Sequence, residues 1–335
     1  MTTFIQAAAI VVLGASLAQA QVPPDIAKKL KETGPVVDPP GTAKLYRPLQ
    51  PSAPYPGVNV LRNQSYGWHA RHVLDVFEPA GEPGAPRPVL IYVAGGGGNK
   101  IEQVPDGEAF YDNIMLWAVK NGMVGVNMQR LAGPGRAWDD PARDVGMVVY
   151  WVQQNIAKHQ GNPDRVFIWA HSAGTGPVSA YVSQPQTHGP KGVGLKGAII
   201  MGGNPNIAPI VVNVPPPPGR GDAAGRGGDG RGAGPGDGRG AGPGRGNAPD
   251  PATQLARSNL PGFRSTPVAL FFGAGDIDTP GAVAFVNTAR TELCRGGRCQ
   301  AVIFKDHSHM SSVFSPNTED DSVTGPILKW MRSVK

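Results

Sequence analysis

Nucleophilic chemistry is concentrated in one pentapeptide, Ala170-His171-Ser172-Ala173-Gly174. It stands between an apolar run, RVFIWA (165–170), and a helical pattern beginning near Ala173. Small residues two before and two after a serine permit the sharp strand-to-helix turn that lifts a hydroxyl above a sheet edge. Glycine usually fills the first of those positions; Ala170, also small, fills it here. A serine hydroxyl is a weak nucleophile until a base takes its proton. In folds built around such a turn the partners follow in the order serine, acid, histidine. Two acids, Asp276 and Asp278, follow the apolar run PVALFFG (267–273), and two histidines, His307 and His309, follow QAVIFK (300–305). Asp276 lies 104 residues after Ser172, and His309 lies 33 after Asp276. Those intervals hold two strands, then one helix and one strand. Both pairs therefore fall beyond the ends of successive strands, on the edge where α/β sites form.

Negative charge developing on a carbonyl oxygen needs backbone donors. The run PVLIYVA (88–94) leads into Gly95, Gly96, Gly97 and Gly98, a turn whose N–H groups can approach an oxyanion closely. A phosphate-binding loop would continue Gly-Lys-Ser/Thr, but here Asn99, Lys100 and Ile101 follow. The other expected donor is the N–H of Ala173, just after the serine. His307, His309 and Asp306 share a loop, yet two histidines without a third convergent ligand make a poor metal site, and no cofactor is expected. His171 reads as a packing residue; His69, His72, His159 and His188 read as surface or packing residues. Trp138 and Phe110 would either line an acyl pocket or belong to the core, where an apolar residue more often sits.

These residues require a sheet to hold them, and the chain supplies one. HVLDVFEP (72–79), PVLIYVA (88–94), GMVGVNM (122–128), RVFIWA (165–170), KGAIIMG (196–202), PVALFFG (267–273) and QAVIFK (300–305) read as strands. Helical patterns intervene near 108–120, from Asp139 or Asp140 to about Lys158, from about Ala173, near 281–293 and near 319–333. Val145, Val148, Val149 and Val152 share one face of the second. Near-continuous apolar strands separated by helices predict a mostly parallel central sheet covered on both faces. The 335 residues, with 47 Gly, 35 Pro and 2 Cys, fit one catalytic-size domain rather than a collagen or a disulfide-stapled mini-protein. A net charge of +6 is modest, and no cluster of Lys and Arg marks a nucleic-acid footprint.

The first 20 residues lack any charged side chain, and their apolar run ends in Ala18-Gln19-Ala20. This predicts a secretory signal peptide, against the alternative of an uncleaved anchor. A secreted or periplasmic location follows, with no stable membrane insertion after cleavage. Cys294 and Cys299 enclose only four residues, which predicts a structural disulfide rather than a redox or metal pair. Residues 213–250 contain 14 Gly and 7 Pro, a composition unable to bury enough surface to order itself, and so predict a disordered insertion. Their Arg-Gly-Gly and Arg-Gly-Asp triplets arise from that composition.

In these motifs the sequence resembles the α/β-hydrolase superfamily, specifically secreted esterases and lipases related to hormone-sensitive lipase. LIYVAGGGG matches the family's strand and HGGG turn, with Ala94 in place of its histidine. NMQRLAGPG is similar to its YRLAP-like element, and WVQQNIAKHQGNPDRVFIWAHSAG to its helix, turn and nucleophile strand. FFGAGDIDTP resembles the acid loop, where an aspartate four residues before a proline implies Asp276 rather than Asp278. DHSHMSSVF resembles the histidine loop and implies His309 rather than His307. DIAKKLKETGPVVDPPGTAKLYRPL is similar to an N-terminal cap helix, implying a cap-like arm over 21–60 before a catalytic domain over 61–335. The resemblance implies a serine carboxylesterase with a Ser172–His309–Asp276 triad and an oxyanion hole of Gly95, Gly96, Gly97 and Ala173. Its substrate would be a small-molecule or polymer-linked ester. An amidase or peptidase of the same fold, or a hydrolase-like binding protein, are the rival expectations.

Overall fold

The computed structural model describes residues 21–101, 110–131, 140–203, 259–297 and 299–335. The expected leader over 1–20, Trp138 and the expected insertion over 213–250 lie outside these residues.

Eight strands form one sheet: β1 (Val58–Ser65), β2 (Val73–Pro79), β3 (Arg87–Val93), β4 (Val124–Met128), β5 (Gly161–His171), β6 (Gly197–Met201), β7 (Ala269–Ile277) and β8 (Cys299–Ser308). Their spatial order is β1-β2-β4-β3-β5-β6-β7-β8. The first two strands run antiparallel to their neighbours, and every pairing from β4 onward is parallel. β1 was not expected from the sequence. It is an edge strand with no fully buried position, so it carries no apolar run to reveal it.

The parallel strands are buried on both faces, and alternation divides their side chains between two different cores. Val89, Ile91 and Val93 of β3, with Val166, Ile168 and Ala170 of β5, face an aliphatic layer. Helices Asp140–Asn155, Thr175–Ser183, Leu260–Ser265 and Pro280–Glu292 cover it. In the first of these, Val145, Val148, Val149 and Val152 are buried at helical spacing. Each contributes roughly 1.5–3 kcal/mol of gross burial energy. Leu90 and Tyr92 of β3, with Phe167 and Trp169 of β5, face a more aromatic layer. There Trp169 meets Trp117 edge-on at 6.0 Å and Tyr92 at 6.3 Å.

The N-terminal arm belongs to this second layer. Helices Pro24–Thr33 and Pro39–Tyr46 bury Ile26, Leu30 and Tyr46 in the same core as Tyr92 and Trp169. The second helix is capped by Asp38, whose carboxylate accepts from the Gly41 N–H at 3.0 Å. Lys31 forms an ion pair with Asp306, which lies near the end of β8, three residues before His309.

Cys294 and Cys299 are joined, with Cα atoms 4.8 Å apart. The bond ties the end of helix Pro280–Glu292 to the first residue of β8. Closing so small a ring stabilises by about 2 kcal/mol on the loop-entropy model. Spread over the unfolding entropy of a chain this long, that is about 3–4 °C in Tm. Scanning calorimetry of the Cys294→Ser/Cys299→Ser variant should show that loss with cooperative folding retained. An unchanged Tm would mean the ring adds nothing.

Candidate active site

Ser172 immediately follows β5 and has a φ of +53°, where a residue with a Cβ rarely sits. A short 3-10 turn over Ser172–Gly174 then feeds helix Thr175–Ser183. The Thr175 hydroxyl donates to the Ser172 carbonyl at 2.6 Å and holds this unfavourable geometry closed. Ala170 fits the turn without difficulty, because its methyl group is wholly buried in the aliphatic layer.

The glycine turn after β3 lies directly against the serine. A Cβ on Gly95 would stand 2.6 Å from the Ser172 Cβ and 3.1 Å from its Oγ, so only a bare backbone can approach this closely. Gly96 and Gly98 adopt φ of +47° and +72°. The Gly98 N–H closes the turn on the Gly95 carbonyl at 2.9 Å. Gly96, Gly97 and Ala173 are exposed, leaving this rim open to a ligand. Lys100, at the turn's exit, is buried. Its ammonium donates to Asp75 at 2.8 Å, and Asp75 also binds Arg62 at 2.8 Å.

The candidate base and acid follow β8 and β7, beyond β6 from the serine. His309 Nδ1 lies 2.8 Å from Asp278 Oδ1, and both side chains are almost fully buried. A carboxylate there only accepts, so Nδ1 carries the proton and Nε2 presents a lone pair. Among the described residues Nε2 has no hydrogen-bond partner. The Asp278 carboxylate also accepts from the Thr279 N–H at 2.6 Å and stands just before helix Pro280–Glu292, where negative charge is favoured.

The expected acid was Asp276, but the carboxylate that the structure sets against His309 is that of Asp278. Asp276 is an exposed residue within β7, whereas Asp278 is the residue that meets His309. β7 was expected to end at Gly273 but continues to Ile277, which pairs with Ser308 of β8. The strand thus runs four residues further than expected, and the aspartate that meets His309 is the one just beyond its end.

His307 and His309 have separate surroundings. His307 is buried between the hydroxyls of Ser311, 3.0 Å from Nδ1, and Ser322, 2.7 Å from Nε2. Burial lowers its pKa, opposed by the nearby charges of Asp320, Asp276 and Asp306. Ser311 also accepts from the Ser308 N–H at 2.8 Å, so this cluster shapes the loop bearing His309.

His171, read from sequence as packing, does more than fill space. Its Nε2 lies 3.0 Å from the His309 carbonyl, and the two rings are 4.6 Å apart. Burial lowers its pKa well below the ordinary histidine value, and the neighbouring His309 pushes the same way. The neutral ring therefore donates from Nε2–H to that carbonyl, linking the residue before the serine to the histidine loop. Phe110 is wholly buried and stacks on Phe314 at 4.0 Å, which makes it a core residue. His72 is also buried, 3.4 Å from Asp144, and His159 lies 3.1 Å from Glu78.

Between the two halves of the site, β6 ends in bare backbone. A Cβ on Gly202 would fall 2.7 Å from His171 Nε2 and 3.3 Å from Asp278 Oδ2. One on Gly203 would fall 2.0 Å from Thr175 Oγ1 and 2.8 Å from the Ser172 carbonyl.

Known proteins share this arrangement of chain. Residues 141–218 match the model of the Carboxylesterase family. A human protein named cocaine esterase is 32% identical over 157 residues, which are 42% of this chain and 27% of that protein. An Aspergillus niger chlorogenic acid esterase is 32% identical over 105 residues, 29% of this chain and 20% of its own. The chain thus matches about a quarter or less of the length of these relatives. Among solved structures, esterase B from Lactobacillus rhamnosis superposes with a TM-score of 0.61 at 10% identity. That superposition covers 92% of this chain and 94% of the esterase, and it establishes a shared fold.

Proposed function

We propose that this chain is an α/β hydrolase of the carboxylesterase kind, which hydrolyses carboxylic esters through a Ser172–His309–Asp278 triad. The observation carrying this reading is the His309–Asp278 pair, anchored through His171 to the strand end that bears Ser172.

Ser172 Oγ attacks the ester carbonyl carbon while His309 Nε2 takes its proton. Negative charge moves to the former carbonyl oxygen, where the N–H groups of the Gly95–Gly97 turn and of Ala173 receive it. Asp278 keeps the imidazole in the tautomer with Nδ1 protonated and stabilises the imidazolium. When the tetrahedral adduct collapses, His309 returns the proton to the departing alkoxide, which leaves as alcohol. An acyl-enzyme on Ser172 remains. Water, deprotonated by the same Nε2, adds to it and releases the acid.

The substrates we assign are small-molecule or polymer-linked esters. The disulfide of Cys294 and Cys299 supports an exported protein working in an oxidising compartment.

The test compares matched p-nitrophenyl esters and p-nitroanilides, together with labelling by a fluorophosphonate. Ester turnover far above anilide turnover, with the label mapped to Ser172, is the expected result. Anilide cleavage at a similar rate would indicate an amidase, and the absence of a label would indicate a protein that binds without turnover.

A further inference from the structure

The turn that must supply the oxyanion donors has no polar side chain of its own, since Ala94 contributes a methyl group and Gly95–Gly98 contribute nothing. A four-glycine run left to itself samples many backbone states. Yet an oxyanion hole works only if its N–H groups are aimed before charge develops.

Arg130, two residues beyond β4, contacts this turn at three carbonyls. Its Nη2 donates to the Gly96 carbonyl at 2.9 Å and its Nε to the Ala94 carbonyl at 3.4 Å. Its own backbone N–H donates to the Gly98 carbonyl at 3.0 Å. Arg130 is only 6% exposed, so these bonds form largely out of water. Arg71 Nη2 reaches the Gly97 carbonyl at 3.3 Å and Asn99 Oδ1 at 3.0 Å.

In a trans peptide the C=O and N–H point in opposite directions. Gripping the Ala94 carbonyl therefore directs the Gly95 N–H away from the arginine, and gripping the Gly96 carbonyl does the same for the Gly97 N–H. The Gly95 carbonyl is already engaged by the Gly98 N–H, which sets the Gly96 N–H in turn. The carbonyl side of the turn is thus held from outside, while Gly95 rests against Ser172.

We propose that Arg130 is a positioning residue for ester hydrolysis: it clamps the carbonyls of Ala94, Gly96 and Gly98 so that the N–H groups of the same turn face the oxyanion. A guanidinium suits the task because its planar fork meets two carbonyls at once, and a lysine ammonium on a flexible stem does not. The inference rests on the serine esterase reading above.

The test uses Arg130→Met and Arg130→Lys in the full-length protein. It reads kcat and KM for a short-chain p-nitrophenyl ester, Ki for a trifluoromethyl ketone, and Tm. The ketone becomes a hemiketal when Ser172 Oγ adds to its carbonyl carbon and His309 takes the hydroxyl proton. Its oxyanion then occupies the same hole, so its affinity reports donor alignment without turnover. Losing one aligned donor costs about 10²–10³ in rate. Arg130→Met should lose roughly 100-fold in kcat and Arg130→Lys roughly 10-fold. KM should stay within about twofold, and Ki should weaken in proportion to the loss in kcat.

Unchanged kcat in Arg130→Lys would overturn the proposal. So would a loss of kcat that follows Tm while Ki keeps its parent value, since that would describe a merely structural arginine. Should Arg130→Met fail to fold, the lysine variant decides alone. Parent protein without Ser172-dependent ester turnover would instead defeat the esterase reading, a distinct result.

Discussion

Ser172→Ala is expected to lower kcat for a short-chain ester by roughly 10⁴–10⁶, because triad members act as a unit and leave only the oxyanion hole and substrate binding when one is lost. The effect should fall on chemistry rather than folding. The substitution removes a single hydroxyl oxygen from a half-buried side chain, whereas the turn itself is closed by Thr175 on the Ser172 carbonyl, which the variant keeps. Tm should stay within a few degrees, and fluorophosphonate labelling should vanish. Residual kcat above about one per cent of the parent, in protein free of parent contamination, would place the nucleophile elsewhere.

The second large effect separates two neighbouring aspartates. Asp278→Asn should cost about 10⁴ in kcat, since the amide can donate to Nδ1 and so favours the wrong imidazole tautomer. Asp276→Asn should change kcat by less than threefold, because Asp276 is exposed and its charge reaches His307 rather than the His309 Nδ1 bond. Circular dichroism of both variants should match the parent. The opposite ranking of losses would return the acid's role to Asp276 and show that the 2.8 Å contact of Asp278 is structural.

The sheet was legible because burial on both faces leaves uninterrupted apolar runs such as VLIYV and VFIWA, which no surface strand would show. The turn around Ser172 was legible for a different reason, since small flanking residues and a strand-to-helix switch are local. Asp278 was not. The end of β7 is set by its pairing with β8, where Ile277 meets Ser308, and that pairing joins residues 31 apart in sequence. Proline spacing cannot report it.

Arg130 and His171 escaped for a related reason. Each acts by bonding the backbone of a remote segment, Ala94 and Gly96 for the arginine and His309 for the histidine. Backbone acceptors exist at every residue, so nothing in the sequence marks which ones are used. The arm was read as a cap from its resemblance alone, which gave no sign that Leu30 and Tyr46 share a core with Trp169.

The bare end of β6 has a consequence for the span between Ser172 and His309. Ser172 leaves β5, and His309 leaves β8, three strand spacings away, or about 14 Å at the usual interval. No side chain bridges that on its own, so the histidine loop must lie back across the tips of β7 and β6 like a plank laid over a ditch. Gly202 and Gly203 are the ground under it. A methyl group on either would act as a shim. On Gly202 it would press on His171 and Asp278, and on Gly203 it would press on Thr175 and the Ser172 carbonyl. The room in which the ends of β5 and β7 meet is therefore kept by two residues that have no side chain to contribute.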